Sequence, residues 1–422
     1  MKYGVLMHKN TQNIGDDIQT FSAANLLPSI DYFVNRETFD TFKTDHNEPV
    51  AVVMSAWYMW HKWNFPPSRQ IVPLYVGMHY SDHAIANQDG SPIKTEFLTG
   101  LGGEYLNANG PVGCRDMFTL NNFKDIGINA YFSGCITLAL PKMPVVKSEK
   151  EYICVVDIDA NLVQKTRERL EGTGIEVREI AHRCDYRDSD ASWEERQKAV
   201  TDLLTIYQNA KCVVTRRLHC ALPCLAMGVP VAVINRKIPD SLMRFEPYDQ
   251  WLHVYTKEEY LSDAFDYDVS NPPANNGGHI PTREKLIASV LEFVEKYKDE
   301  NDNYKKYDKF KRTDDEVIKW RHDTMKSAMD LWFNQTRKDF HSIKTLKADV
   351  AKLRKNLNPN AKKQEVEIAA LKKQISDLTA ANDEMTLRNR KYEKVLKSSP
   401  ASAYVKVRNL FVAKDKKIKL DK

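Results

Sequence analysis

The sequence predicts an α/β protein that carries a helical, coiled-coil extension at its C-terminal end. Three observations lead to that class. From residue 152 to residue 235, short β-branched and apolar runs alternate with helical stretches, as strands of a parallel sheet do when crossover helices join them. A strand, a glycine and a helix open the chain in the same manner. From Ile343 onward the apolar residues recur by threes and fours, which is a heptad pattern.

Residues 3–7 read as the first strand and 16–27 as a helix that starts with acidic residues and stops before Pro28, with Gly15 permitting the turn between them. No G-x-G-x-x-G loop follows the strand, so no dinucleotide is inferred. Asn13, Gly15 and Asp16 form a candidate ligand-facing loop, a role compatible with Asp16 also capping the helix. Residues 31–35 and 50–55 are further strands. The run from Ala56 to Trp63 then places three of the seven tryptophans within seven residues, without a helical or strand period. Aromatic faces stack on sugar rings, which makes Trp57, Tyr58 and Trp60 candidate acceptor contacts; a core patch is the competing reading. Residues 74–78 read as a strand that presents His79 at its end.

Residues 109–116 approach a helix over 116–124 through two glycines, with Asp116 near the cap and Arg115 beside it, well placed for a phosphate or carboxylate. The strand 130–132 ends in Ser133-Gly134. After a polar break at 147–151, strands are expected at 152–157 and 176–180 and helices at 161–171 and 192–208. The stretch from Lys211 to Asn235 follows: a strand over 212–214, a polar elbow, a short apolar helix stopped by Gly228 and Pro230, and a strand over 231–234. Arg216, Arg217 and His219 stand at the elbow, beyond a strand's carboxyl end, where open α/β sheets bind ligands. Surface ion pairs and a core histidine are the plainer reading.

Three segments now carry a resemblance. Arg217-Leu-His219 with its apolar helix and Gly228-Val-Pro-Val231, Asn13-Ile-Gly-Asp16 near the start, and Arg115-Asp-Met-Phe-Thr119 followed by Ser133-Gly-Cys135 resemble, in the same order, the signature motifs of the polysaccharide pyruvyl transferase family. The resemblance covers roughly residues 1–260. It implies two Rossmann-like domains in a GT-B-like arrangement, here 1–147 and 148–265, with the Arg-Leu-His motif on the second. It also implies phosphoenolpyruvate as donor substrate, with no other cofactor, and a saccharide or lipid-linked saccharide of a cell-surface polysaccharide precursor as acceptor, joined as a pyruvate ketal. On that reading Arg115 and Arg217 clamp the donor and His219 is the general acid, with Asn13, Gly15, Asp16, His79, Ser133, Gly134 and Arg216 lining the substrate site. The family's acidic residue after the glycine of Ser133-Gly134 is replaced by Cys135. The alternatives are a glycosyltransferase of the same fold that uses a nucleotide sugar, and a non-catalytic assembly module.

The seven cysteines fall between Cys114 and Cys224 and form no disulfide framework; Cys220 and Cys224 share a helical spacing, but no cluster has metal-ligand spacing, so no metal is expected. No apolar run reaches the ~20 residues that span a bilayer, so a cytoplasmic protein is expected.

Residues 266–340 are expected as a helical return segment, 341–397 as a coiled coil and 398–422 as a basic tail. The seam runs through Ile343, Leu346, Val350, Leu353 and Leu357, breaks at Pro359, and resumes at Ile368, Leu371, Ile375, Leu378, Asn382, Met385 and Tyr392. A homodimer is expected from it; amphipathic helices folded back on the chain are the alternative. Residues 341–422 hold 21 Lys and Arg against 9 Asp and Glu, leaving 41 against 48 in the first 340, so the basic character belongs to the tail. No nucleic-acid motif accompanies it, which turns the reading toward peripheral contact with the inner face of an anionic membrane, against a solvated tail. Truncation after Ser398 should abolish cosedimentation with anionic liposomes and leave turnover on a soluble acceptor intact; equal sedimentation of the two proteins would rule membrane contact out.

Overall fold

Five consecutive positions of the first strand, β1 (Lys2–Met7), are buried, and a strand covered on both faces calls for layers on both sides of its sheet. In the computed structural model β1 lies inside a parallel sheet with β2 (Tyr32–Asn35), β3 (Val50–Val53) and β5 (Ile71–Leu74), in the order β2-β1-β3-β5. The residues described are 1–9, 11–58, 64–80, 100–145, 149–184, 191–235, 245–300, 302–355, 369–380 and 382–383. Two short parallel pairs accompany the first sheet: β4 (Trp57–Tyr58) with β6 (His79–Tyr80), and β7 (Val112–Cys114) with β8 (Ala130–Phe132). Backbone bonds from Met78 to Gly113 and from Arg115 to Met78 stitch β7 to the segment before β6.

A second parallel sheet has the order β10-β9-β11-β12-β13, made of β9 (Tyr152–Val156), β10 (Glu176–Ile180), β11 (Val213–Thr215), β12 (Val231–Asn235) and β13 (His253–Thr256). Both orders reverse direction once, between β1 and β3 in the first sheet and between β9 and β11 in the second. Such a reversal opens a crevice beyond the carboxyl ends of the strands.

The helices follow from the strand spacing: α1 (Ile14–Ala24), α2 (Leu101–Ala108), α3 (Met117–Asp125), α4 (Ala160–Arg169), α5 (Trp193–Gln208), α6 (Leu218–Met227), α7 (Lys257–Leu261) and α8 (Ile280–Tyr297). Local chemistry sets their ends. Ser192 and Glu195 form a capping box at α5, and Gly228, left-handed at φ 78°, ends α6 as the sequence indicates. The cap of α1 is Asn13, whose side chain accepts from the Gly15 N–H, rather than Asp16. The largest core joins α1 to α5 and α6 through Ile14, Ile18, Leu204 and Leu222, and α8 returns to cover the first sheet with Leu286, Val290 and Phe293. Both sheets sit in one compact unit, residues 1–60, 66–81 and 102–311.

Two strands depart from expectation. The strand expected over 74–78 lies earlier, at β5, because Pro73, which reads as a strand breaker, is tolerated at the sheet's edge. β7 takes three residues of what reads as a glycine-rich loop.

The second unit comprises residues 61–65, 82–101 and 312–422. Its helix α9 (Asp314–Lys355) runs unbroken through the boundary expected at 340, since no Gly or Pro interrupts its 42 residues. Ile343, Val350 and Asn382 of the predicted seam are buried within a single chain. Leu353 and Leu357 of the seam, Ile368, Met385, Tyr392 and the basic tail lie outside the described side chains.

Between α1 and α5 a charge pair is sealed in the core. Asp17 and Arg196 are both fully buried, with Arg196 Nη1 donating to Asp17 Oδ1 at 3.0 Å and to the His8 carbonyl at 3.3 Å. Removing one partner strands the other's charge, so Arg196→Ala should lower the unfolding free energy by about 3–5 kcal/mol in chemical denaturation. The double change Asp17→Leu with Arg196→Met should cost less than Arg196→Ala alone; a cost equal to the sum of the single changes would contradict this account.

Candidate functional site

Beyond β11 the chain turns at Arg216 and Arg217 into α6. Thr215 pins the elbow: its hydroxyl accepts the Arg217 N–H at 3.0 Å and donates to the Val156 carbonyl at 3.3 Å. The two arginines then part. Arg217 Nε donates to Asp157 Oδ2 at 2.7 Å, whereas Arg216 Nη1 reaches Asp159 Oδ1 at 3.3 Å, an aspartate that also receives Lys257 Nζ at 2.6 Å. Asp157 and Asp159 follow β9, so the crevice of the second sheet is lined by paired charges.

His219, in the first turn of α6, is buried, and Arg115 Nη1 lies 3.3 Å from its Nε2. Arginine has no acceptor, so Arg115 donates and His219 Nε2 accepts; while this bond holds, the imidazole carries its proton on Nδ1 and is neutral. Gly15 makes the meeting possible. A Cβ at Gly15 would fall 2.8 Å from both Cβ and Nδ1 of His219, so the start of α1 meets the start of α6 only without a side chain. The crevice ends of the two sheets thus converge on one imidazole.

Arg115 follows β7 and is 1% exposed; its carbonyl accepts a short hydrogen bond from Tyr248 Oη. Its Nε is 3.6 Å from Asp116 Oδ2, and the same oxygen is 2.6 Å from His79 Nδ1. Asp116 also caps α3 by accepting the Thr119 N–H at 2.9 Å. Burial alone would raise the Asp116 carboxyl, but His79 and Arg115 outweigh it and hold the group well below the usual carboxylate range.

Sequence reasoning missed three residues here. Asp157 and His182 follow β9 and β10, where the rule of polar residues beyond strand ends would have found them. His182 is buried, stacks on Tyr207 with its Nδ1 3.1 Å from the tyrosine oxygen, and leaves Nε2 without a partner among the described residues. Burial, helped by the charge of Arg217, lowers its pKa to about 4. His8, past the end of β1, is likewise buried with both ring nitrogens unpartnered among the described residues, and burial lowers it to about 4.

Other expected residues are placed differently. The Ser133 hydroxyl is spent on the backbone, accepting from the Gly77 N–H at 2.9 Å and lying within bonding distance of the Cys114 and Gly134 carbonyls. Gly134 serves a left-handed turn at φ 72° packed on Leu138 and Thr282. Tyr58 is buried against Phe39, and the Arg36 guanidinium stands 5.4 Å over the Trp57 ring. Trp60 lies outside the described residues. Asn13 is exposed and Asp16 half-buried at the start of α1, with Asp16 accepting from Thr11. Cys135 is buried, and burial pushes its thiol up, so a neutral group stands beside Arg115.

The family profile described as Polysaccharide pyruvyl transferase matches residues 13–237, just over half of the chain, and spans Gly15, His79, Arg115, Asp157, His182, Arg216, Arg217 and His219. The chain belongs to the polysaccharide pyruvyl transferase family. It is therefore a transferase, of a family that acts in polysaccharide biosynthesis. No curated protein sequence matches this pyruvyl transferase family member. Solved structures align with it at 11% identity, among them the following three. One is the UDP-GlcNAc 2-epimerase of Methanocaldococcus jannaschii in complex with UDP-GlcNAc and UDP (71% of this chain, 99% of that one, TM-score 0.36). The others are the MnaA–UDP structure from S. aureus (68% and 98%, TM-score 0.35) and a functionally uncharacterized protein from Klebsiella pneumoniae (60% and 93%, TM-score 0.35).

Gly15→Ala tests the convergence. The added methyl must push His219 off its contact with Arg115, and displacements of about 1 Å at a reacting group can cost roughly 10²-fold in rate. Transferase activity should therefore collapse while the melting temperature moves by only a few degrees; full activity in the folded variant would show that this packing does not set the site.

Proposed function

We propose that the protein moves the three-carbon skeleton of phosphoenolpyruvate onto two hydroxyls of a saccharide in a cell-surface polysaccharide precursor, forming a cyclic pyruvate ketal and releasing inorganic phosphate. The observation that carries the reading is the Arg115–His219 contact beside Gly15, with Arg217, two residues before His219, held by Asp157. The donor has a carboxylate and a phosphate, and two guanidinium groups suit them as bidentate partners.

His219 gives its proton to the methylene carbon C3 of the enol, and C2 becomes electrophilic. A saccharide hydroxyl then bonds to C2, and its proton restores His219. The bond from C2 to the phosphate oxygen breaks, a second hydroxyl closes the ring at C2, and its proton leaves with the phosphate. The two hydroxyl protons thus end on the new methyl group and on phosphate, and no oxidant or reductant is needed. Arg115 and Arg217 steady the donor's negative charge as the phosphate departs.

This scheme requires His219 to gain a proton it lacks in the contact described above. The donor's anionic groups supply the means: they draw Arg115 away from Nε2, and their charge favours the imidazolium. Phosphoenolpyruvate should raise the melting temperature where nucleotide sugars do not. Calorimetric titration near pH 7.5, in two buffers of different ionisation enthalpy, should show phosphoenolpyruvate binding with uptake of close to one proton per site, and none in His219→Gln. Tight binding without uptake would remove the acid role from His219; absence of binding would remove the donor.

A further inference from the structure

Asp157 is one of two described residues other than glycine with a positive φ, at 51°, and it sits where the second sheet reverses between β9 and β11. A side chain in the left-handed region is strained and persists where its surroundings hold it there. Three bonds do so. The Asp157 N–H donates to the Ile180 carbonyl at 3.3 Å, Oδ1 accepts the His182 N–H at 3.3 Å, and Oδ2 accepts Arg217 Nε at 2.7 Å. The carboxylate is mostly covered, at 12% side-chain exposure, while Arg217 is at 37%.

The choice of nitrogen matters. With Nε engaged, the guanidinium keeps its two terminal nitrogens, and neither bonds to any described residue. Those two nitrogens form the edge that binds a carboxylate or a phosphate with paired parallel bonds. We propose that Asp157 is a positioning residue for donor recognition: from its left-handed backbone it holds Arg217 by Nε, so that the terminal edge faces the anionic end of the donor. The inference rests on the phosphoenolpyruvate reading and adds to it the residue that gives Arg217 its aim. His182 takes part through its backbone, because its N–H fixes the other carboxylate oxygen.

The left-handed φ supplies the test. Asp157→Gly removes the carboxylate at a position where glycine is conformationally at ease, so loss of fold does not obscure the result. Asp157→Asn keeps an oxygen for Nε in a residue that tolerates positive φ, but without the charge. In the full-length protein, Asp157→Gly should raise KM for phosphoenolpyruvate roughly tenfold or more, by a larger factor than kcat falls, as loss of a bond to a charged group does. Its melting temperature should stay near that of the parent, and Asp157→Asn should recover part of the affinity. In an Arg217→Ala background, Asp157→Gly should change KM no further.

Calorimetry with phosphoenolpyruvate separates the two ideas. If the parent protein does not bind it, the donor reading fails. If the parent and Asp157→Gly bind it equally well, or Asp157→Gly weakens Arg217→Ala by the same factor as the parent, the positioning role is overturned and the donor reading stands.

Discussion

The whole arrangement depends on one missing side chain. Gly15 lets the start of α1 come against the start of α6, and through that contact the crevice of the first sheet and that of the second become one place. Each sheet, taken alone, aims the ends of its strands at a reversal point, which is a property of parallel topology and needs no particular residue. Bringing both reversal points onto the His219 imidazole needs close approach, and close approach needs glycine. The sealed Asp17–Arg196 pair, on the same α1 and on α5, ties the two halves together close to the site.

Around that point the charges are held in a graded way. Arg115 is sealed, with one aspartate that it shares with a histidine, whereas Arg217 is more than a third exposed and gripped at a single nitrogen. A buried guanidinium gives up its partner reluctantly, because desolvated charge must be matched. An exposed one meets an incoming anion readily. The two guanidinium groups thus differ in access: Arg217 is open to solvent, and Arg115 is sealed beside His219.

Much of this was legible in the sequence because strands buried on both faces are written as unbroken apolar runs. That is why β9, β11 and β12 fall within a residue or two of their expected bounds, and why Arg217 and His219 stand just beyond such a run. The failures have physical causes as well. Pro73 masks β5, since edge pairing spares it the N–H it lacks. Ser133 and a sugar-binding serine look alike in sequence; only the surrounding backbone, with the Gly77 N–H pointing at its oxygen, shows that its hydroxyl is taken. Trp57 has the composition of a stacking platform, but composition does not reveal that Arg36 lies over its ring. The heptad period of α9 does not say what covers its seam: Ile343 and Val350 are buried within one chain.

Cys135 then makes physical sense where the family pattern has an acid. A carboxylate at this fully buried position would stand beside Arg115 and give the guanidinium a second counter-charge. The thiol, kept neutral by burial, gives none. Arg115 is left with Asp116, whose Oδ2 is nearer to His79 Nδ1 than to the guanidinium, 2.6 Å against 3.6 Å. A sealed arginine with a half share in one carboxylate is undercompensated, and an undercompensated charge in a low-dielectric setting attracts an anion strongly. Losing the acid therefore does not argue for a spent site in this chain. It moves the electrostatic balance of the first sheet's crevice toward cation.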